Sequence, residues 1–303
     1  MGPAVETVGF VGVGLMGHGM ARNILEKGYP LTVIAHRDRT RVEDLLSRGA
    51  SEAGSLKELG EDVSVVFICA PGSLQVEAIV RELKGGLKSG SVIVDCSTSD
   101  PNSTIALADD LEALGIDFAD APLGGTPVQA AEGTLGAMVG ARDAVFARVK
   151  PVIETWAASV VHIGGVGDGH RMKLLNNFLS LGYGAIYAEA LVLAGKVGLS
   201  PERFDSVIRG SRMDCGFYQT FMAYVLDGNR EAHKFTLTNA VKDLRYLESM
   251  ANAAGLENPI GNAVKSAFAA AHAVGGDGPE DYVPTLPEHV ARLNGTELKT
   301  GKA

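Results

Sequence analysis

The chain has 303 residues, 46% of them hydrophobic and 38 of them glycine, which excludes a disordered chain, a miniprotein and a fibrous repeat. Its 36 acidic and 27 basic residues give a net charge of −9 and a pI near 5.3. That balance argues against nucleic acid and anionic membranes as principal partners, since both require a cationic surface, and leaves open a small anionic substrate, which needs only a local positive cluster.

In the first half, β-rich runs alternate with helical periodicity. Residues 8–11 form an apolar run entering a glycine loop, and 16–27 have the spacing of a helix. Strands are then predicted at 31–35, 63–69, 91–95 and from 117, with helices at 40–48, 74–83 and 103–114. Such alternation predicts βαβ units and a parallel, doubly wound sheet. The pattern changes near Ile163, where Gly164-Gly165-Val166-Gly167-Asp168-Gly169 reads as a flexible junction. Beyond it one long helix is predicted over 172–197, ended by Gly198, then helices at 201–208, 217–226, 237–254 and 260–274. The expected organisation is a nucleotide-binding Rossmann domain at 1–164 followed by an all-helical substrate and dimerisation domain at 165–303. Cys69, Cys96 and Cys215 form no CxxC pair or His/Cys cluster, so they read as buried reduced thiols, and no metal site is expected. No signal peptide precedes Val8, and the longest apolar stretch, 178–195, contains Glu189 and reads as a buried helix rather than a membrane span. A soluble, cytoplasmic protein is expected.

The turn after the first run reads Gly12-Val13-Gly14-Leu15-Met16-Gly17, a GxGxxG between a strand and a helix. In that context the first glycine allows the tight turn. The second lets backbone approach a pyrophosphate, and the third lets helix pack on strand. The helix N-terminus offers N–H groups and a positive dipole end to the phosphates. At the end of the second strand an acid favours NAD and an arginine favours the 2′-phosphate of NADP. The sequence there is His36-Arg37-Asp38-Arg39, with Arg41 adding charge. NADP is therefore expected, held by His36 and Arg37, with NAD the alternative if Asp38 is the ribose ligand.

Lys173 and Asn177 stand four apart, on one face of the predicted long helix. With the residues 9–21 block, Asp95-Cys96-Ser97-Thr98, Asp120-Ala121-Pro122-Leu123-Gly124-Gly125-Thr126, Glu132-Gly133-Thr134-Leu135, and Phe235 with Lys242-Asp243-Leu244, they occur in an order that resembles the β-hydroxyacid dehydrogenases. That family includes 3-hydroxyisobutyrate dehydrogenase, tartronate semialdehyde reductase and sulfolactaldehyde reductase. The resemblance spans about residues 7–290. It implies a cleft site between an N-terminal NAD(P) domain and a helical domain, in a homodimer or homotetramer. By position it makes Lys173 the catalytic lysine, Asn177 its partner, and Thr98 and Lys242 cofactor contacts.

A lysine in such a place can give a proton to a developing alkoxide if burial and neighbouring cations bring its pKa toward neutrality. The asparagine can donate to the same oxygen without charge. The substrate loop departs from the family pattern Asp-Ala-Pro-Val-Ser-Gly-Gly: Gly124 replaces the serine and Thr126 the last glycine. The form is similar to the sulfolactaldehyde reductase branch, except that Gly125 stands where that branch commonly has arginine. Ser180, one turn beyond Asn176 and on its face, also matches that branch. Gly124, Gly125, Thr126, Asn176 and Ser180 are thus the expected substrate contacts, although Thr126 can equally be a turn hydroxyl satisfying its own backbone. The expected activity is interconversion of a small 3-hydroxy acid, or a sulfonate or 2-hydroxymethyl analogue, with its semialdehyde. The alternatives are a catalytically silent NADP-binding scaffold and an imine-reductase-like enzyme.

Overall fold

The structure, a computed structural model, describes residues 6–36 and 39–298. Strands and helices alternate from the start: β1 (Val8–Val11), α1 (Gly17–Glu26), β2 (Leu31–Val33), α2 (Thr40–Ser47), β3 (Ser51–Glu52), α3 (Leu56–Asp62), β4 (Val65–Ile68), α4 (Ser73–Leu83), β5 (Val92–Asp95), α5 (Pro101–Glu112) and β6 (Asp117–Asp120). The first unit continues through β7 (Leu123–Gly124), α6 (Pro127–Glu132), β8 (Leu135–Gly140), α7 (Asp143–Ile153) and β9 (Ala157–Gly164).

These strands form one sheet in the order β3-β2-β1-β4-β5-β6-β8-β7, with β9 beside β8. All pairs are parallel except β6–β8 and β7–β8. The expected parallel, doubly wound sheet is therefore present, with an antiparallel insertion at one side. The strand order reverses between β1 and β4, the place where open α/β sheets bind ligands beyond their strand ends. Alternate residues feed two cores. Phe10, Phe67 and Val94 meet Met20 and Ile24 of α1, Leu45 of α2 and Val152 of α7. Val66, Ile68 and Ile93 meet Leu59 of α3, Val80 of α4 and Leu111 of α5.

The rest of the chain is helical: α8 (Asp168–Lys196), α9 (Pro201–Ile208), α10 (Gly216–Asp227), α11 (Leu237–Ala253), α12 (Pro259–Ala273), a 3-10 turn Val283–Thr285 and α13 (Leu286–Leu293). Its own core joins Leu181, Ala188 and Leu191 of α8 with Tyr218, Phe221, Leu244 and Phe268. The chain divides into two compact units between Lys173 and Leu174, inside α8.

The glycine-rich segment read as a junction runs into α8 itself, which takes up its last two residues, Asp168 and Gly169. The helix begins at Asp168, four residues earlier than its apolar spacing indicates, and the glycines permit close packing. A Cβ on Gly140 would lie 2.5 Å from Asp120 Oδ1, and one on Gly169 would lie 2.8 Å from Asp120 Oδ2. The long helix is also less covered than its composition suggests. It is long and apolar enough to cross a membrane, and only a third of its apolar window is buried. Leu179, Tyr183, Ile186, Leu193 and Val197 are exposed. Of the thiols, Cys96 is buried and Cys69 is raised to about 12 by burial of its sulfur. Cys215, at the N-cap position of α10, is exposed, so the expectation of three buried thiols fails there.

Candidate active site

The nucleotide end begins where β1 stops. Gly12 has φ +98°, and a Cβ on it would fall on the Cys69 carbonyl at the end of the neighbouring β4, so this turn accepts only glycine. A Cβ on Gly17 would likewise strike the Gly12 carbonyl, whereas nothing lies within 4 Å of one on Gly14. The open side at Gly14 is the space a phosphate backbone would fill. The first turn of α1, capped at Met16, has neither a side-chain cap nor an acidic residue, so its positive dipole end is left for an anion. Val13 and Met16 pack partly against the core, while Leu15 is exposed. These residues fit a dinucleotide.

At the β2 end, His36 is exposed, while Arg37 and Asp38, on which the choice between NADP and NAD turns, lie outside the described residues. Arg39 is not spare charge for a phosphate. Its guanidinium forks onto Glu52 of β3 at 2.9 and 3.0 Å.

Beyond β5 and β6 is a buried polar cluster. The two strands end in Asp95 and Asp120, which are register partners. Asp95 accepts from Ser97 N at 2.8 Å and Ser99 Oγ at 2.7 Å. Ser97 Oγ in turn accepts from Ala70 N at 2.9 Å, tying the β4 and β5 ends together beside Thr98. Asp120 accepts from Gly167 N and His170 N, both at 2.6 Å, and so serves as the cap of α8. Burial pushes the Asp120 carboxyl up, opposed by His170 and those two N–H groups. The fully buried His170 ring lies with Nδ1 2.8 Å from Thr104 Oγ1 and Nε2 3.1 Å from the Ser97 carbonyl. Its two nitrogens are also 3.7 Å from Asp95 and 3.8 Å from Asp120. Lys173 follows one turn along the helix and is partly buried.

The substrate loop follows β6. Gly124 lies in β7, and nothing lies within 4 Å of a Cβ built on it. Gly125 has φ +127°. Thr126 caps α6 in a capping box: its Oγ1 accepts from Gln129 N, and its own N–H donates to Gln129 Oε1 at 3.0 Å. The hydroxyl nominated for substrate is thus engaged locally here.

In the second unit Asn177 is buried, Ser180 partly buried and Asn176 exposed. Asn177 Nδ2 donates to Asp243 Oδ2 at 2.7 Å, and Ser180 Oγ donates to the Asn177 carbonyl. Asp243 is nearly fully buried, and its Oδ1 is 3.2 Å from Lys242 Nζ, an ion pair without hydrogen-bond geometry. Lys242 also lies 5.4 Å from the Tyr246 ring.

Sequence reading passed over Asp95, Asp120 and Asp243 as site residues, and weighed His170 only as a second choice of proton donor after Lys173. A signal was present for the first two: an aspartate closes each of two successive strands. Among the described residues no group of His, Cys, Asp and Glu is placed to hold a metal.

Comparison with known proteins extends this picture. Residues 7–164 match the family described as the NAD binding domain of 6-phosphogluconate dehydrogenase. Residues 167–284 match the NAD-binding domain family of NADP-dependent 3-hydroxyisobutyrate dehydrogenase. The chain is 37% identical to 2-(hydroxymethyl)glutarate dehydrogenase of Eubacterium barkeri over 205 residues, 66% of this chain and 67% of that enzyme. It is 29% identical to 3-sulfolactaldehyde reductase of Escherichia coli strain K12 over 288 residues, 94% and 96% of the two chains. Its fold is similar to that of Mycobacterium tuberculosis 3-hydroxyisobutyrate dehydrogenase with L-serine, with TM-score 0.82, 26% identity, and coverage of 92% of this chain and 98% of the other.

Proposed function

The chain belongs to the β-hydroxyacid dehydrogenase family of NAD(P)-binding oxidoreductases, and we propose that it interconverts a small 3-hydroxy acid, or a sulfonate or 2-hydroxymethyl analogue, with the corresponding semialdehyde, using NADP. The observation that carries this reading is the pair on α8: a partly buried Lys173 one turn before a buried Asn177, addressing one side of the helix. Bound at the glycine turn, a nicotinamide cofactor supplies the hydride that reduces the aldehyde carbon. Lys173 delivers the proton to the alkoxide oxygen, and takes it back in the oxidation direction.

Asn177 donates to that same oxygen. The Asp243 carboxylate accepts only, so it fixes the amide with Nδ2 toward it, and the second N–H of that nitrogen is the one left for substrate. The Gly12–Gly17 turn with Val13, Leu15 and Met16, and Thr98 and Lys242, hold the cofactor; His36 and Arg37 hold its 2′-phosphate. Backbone amides at Gly124 and Gly125, with Thr126, Asn176 and Ser180, meet the acid group. The exposed apolar side chains along α8 favour a homodimer or homotetramer in which a second copy covers them.

The test is a panel of 2-hydroxy-3-oxopropionate, 3-sulfolactaldehyde, 3-hydroxyisobutyrate and 2-(hydroxymethyl)glutarate with NADPH and NADH, or their oxidised forms for the two alcohols. On the substrate turned over, Lys173→Ala should lower kcat by roughly 10²–10⁴ with cofactor affinity little altered. Lys173→Arg should not restore it, since a guanidinium stays protonated. Asn177→Ala should be slow, and less than additive with the lysine change. A Lys173→Ala protein that keeps most of its kcat would overturn the assignment.

A further inference from the structure

The buried cluster beyond β5 and β6 has no part in the chemistry described above, yet it is built around the helix that carries the lysine. Two separate anchors hold the first turn of α8. The Asp120 carboxylate takes the Gly167 and His170 N–H groups, each at 2.6 Å. The His170 ring is keyed between the Thr104 hydroxyl at 2.8 Å and the Ser97 carbonyl at 3.1 Å. A carbonyl oxygen only accepts, so Nε2 carries a proton, and Nδ1 is left to meet the Thr104 hydroxyl. That hydroxyl also lies 3.2 Å from the Asp100 carbonyl, so it can receive from a protonated Nδ1 and donate onward, or donate to a bare one. The key is satisfied in both protonation states, between two buried carboxylates.

Ser97 immediately precedes Thr98, and His170 lies one helical turn before Lys173. One ring therefore joins the strand end that presents Thr98 to the turn that presents the lysine. We propose that His170, held by Thr104 and Ser97, is the positioning residue that fixes Lys173 relative to Thr98. It touches neither substrate nor cofactor. The proposal rests on the assignment of Lys173 as the proton-transfer residue only for its effect on rate; the placement of the lysine is measurable by itself.

Thr104→Val removes the hydroxyl and keeps the volume, leaving the ring in place with one partner lost, and Thr104→Ser returns the hydroxyl. In the NADPH-loaded and cofactor-free proteins, the rate of Lys173 acetylation by acetic anhydride is followed by peptide mass spectrometry, with the exposed Lys84 as internal control. Loss of the key should raise Lys173 labelling at least threefold in Thr104→Val, leave Lys84 unchanged, and be reversed in Thr104→Ser. Labelling of Lys173 that is unchanged in Thr104→Val, or raised equally at Lys84, would overturn the proposal.

The rate follows as a second readout. Thr104→Val should lower kcat at least tenfold with KM for NADPH within twofold, and have no further effect in a Lys173→Ala background. An equal drop in both backgrounds would count the cluster as merely structural. If Lys173→Ala itself retains kcat, the lysine assignment fails while the labelling result still decides the positioning.

Discussion

Neighbouring glycines in the substrate loop should respond in opposite ways to the same substitution. Gly125 has φ +127°, and a Cβ there would lie 2.8 Å from Leu135 Cδ2 and 2.9 Å from Gln129 Oε1. Leu135 is fully buried and cannot swing into solvent. Backbone strain of about 1–3 kcal/mol and overpacking of about 1–3 kcal/mol combine, so Gly125→Ala should cost at least about 2 kcal/mol. At Gly124 an added Cβ meets nothing within 4 Å and φ is not positive. Gly124→Ala should be neutral, or stabilise by about 0.4–1 kcal/mol through the unfolded chain. For a unit of this size about 2 kcal/mol corresponds to a fall of roughly 4–8 °C in the unfolding midpoint. Calorimetry on the two variants, monitoring the transition of the sheet-containing unit, makes the comparison. A Gly125→Ala midpoint equal to that of Gly124→Ala would refute the steric reasoning.

Three further outcomes are expected. Arg37→Ala should weaken NADP by about 1.5–3 kcal/mol, the range for a hydrogen bond to a charged group, and leave NAD nearly unchanged in titrations; NAD bound more tightly than NADP by the unaltered protein would make Asp38 the ribose ligand. His233, whose ring is edge-on to Phe217, is lowered to about 4 by burial. The unfolded chain therefore binds a proton that the fold rejects. The contribution is fully present above about pH 6.5, and about 3 kcal/mol of it is lost as pH falls toward 4. Urea unfolding at several pH values should show that slope, and His233→Gln should flatten it. Sedimentation at micromolar concentration should report a dimer or tetramer, and Leu179→Glu with Ile186→Glu on the exposed face of α8 should shift it toward monomer; a monomer in the unaltered protein would remove the oligomer proposal.

Periodicity was enough to find β1, β2, β4, β5 and β6 and most of the later helices, because each apolar run there has a single period, while the two-residue, exposed β3 carries no apolar run at all. It missed the stretch from β7 to β9. Leu135-Gly136-Ala137-Met138-Val139-Gly140 has no polar position to mark a period of two, and its glycines answer to packing, since Gly140 must clear Asp120 and Gly136 pairs Gly124. Short α3 escaped for a different reason: its start is set by the Ser55 side chain accepting from Glu58 N, a local cap rather than an apolar stripe. Pro101 and Asp100 mark the true start of α5 by the same logic, two residues before its periodicity begins.

The candidate site divides along the same line. Gly12 and Gly17 were readable because their spacing along the chain is itself the geometry of a turn, whereas spacing put Lys173 and Asn177 on one helical face and only the family resemblance nominated them. Asp120 and His170 are 50 residues apart, and only the β5–β6 register and the early start of α8 bring them together. The departure at Gly125 gains a physical meaning that spacing could not give it. The sulfolactaldehyde-type arginine at this position would have to adopt a φ of +127° beside a buried leucine. A single substitution would therefore not convert this loop to that anion-binding form. Gly124, open and extended, is the position where a side-chain donor can be added without strain. On the proposed assignment the acid group would meet backbone amides of this loop and side chains of α8, and Gly124→Ser is the change that would add a hydroxyl there without backbone strain.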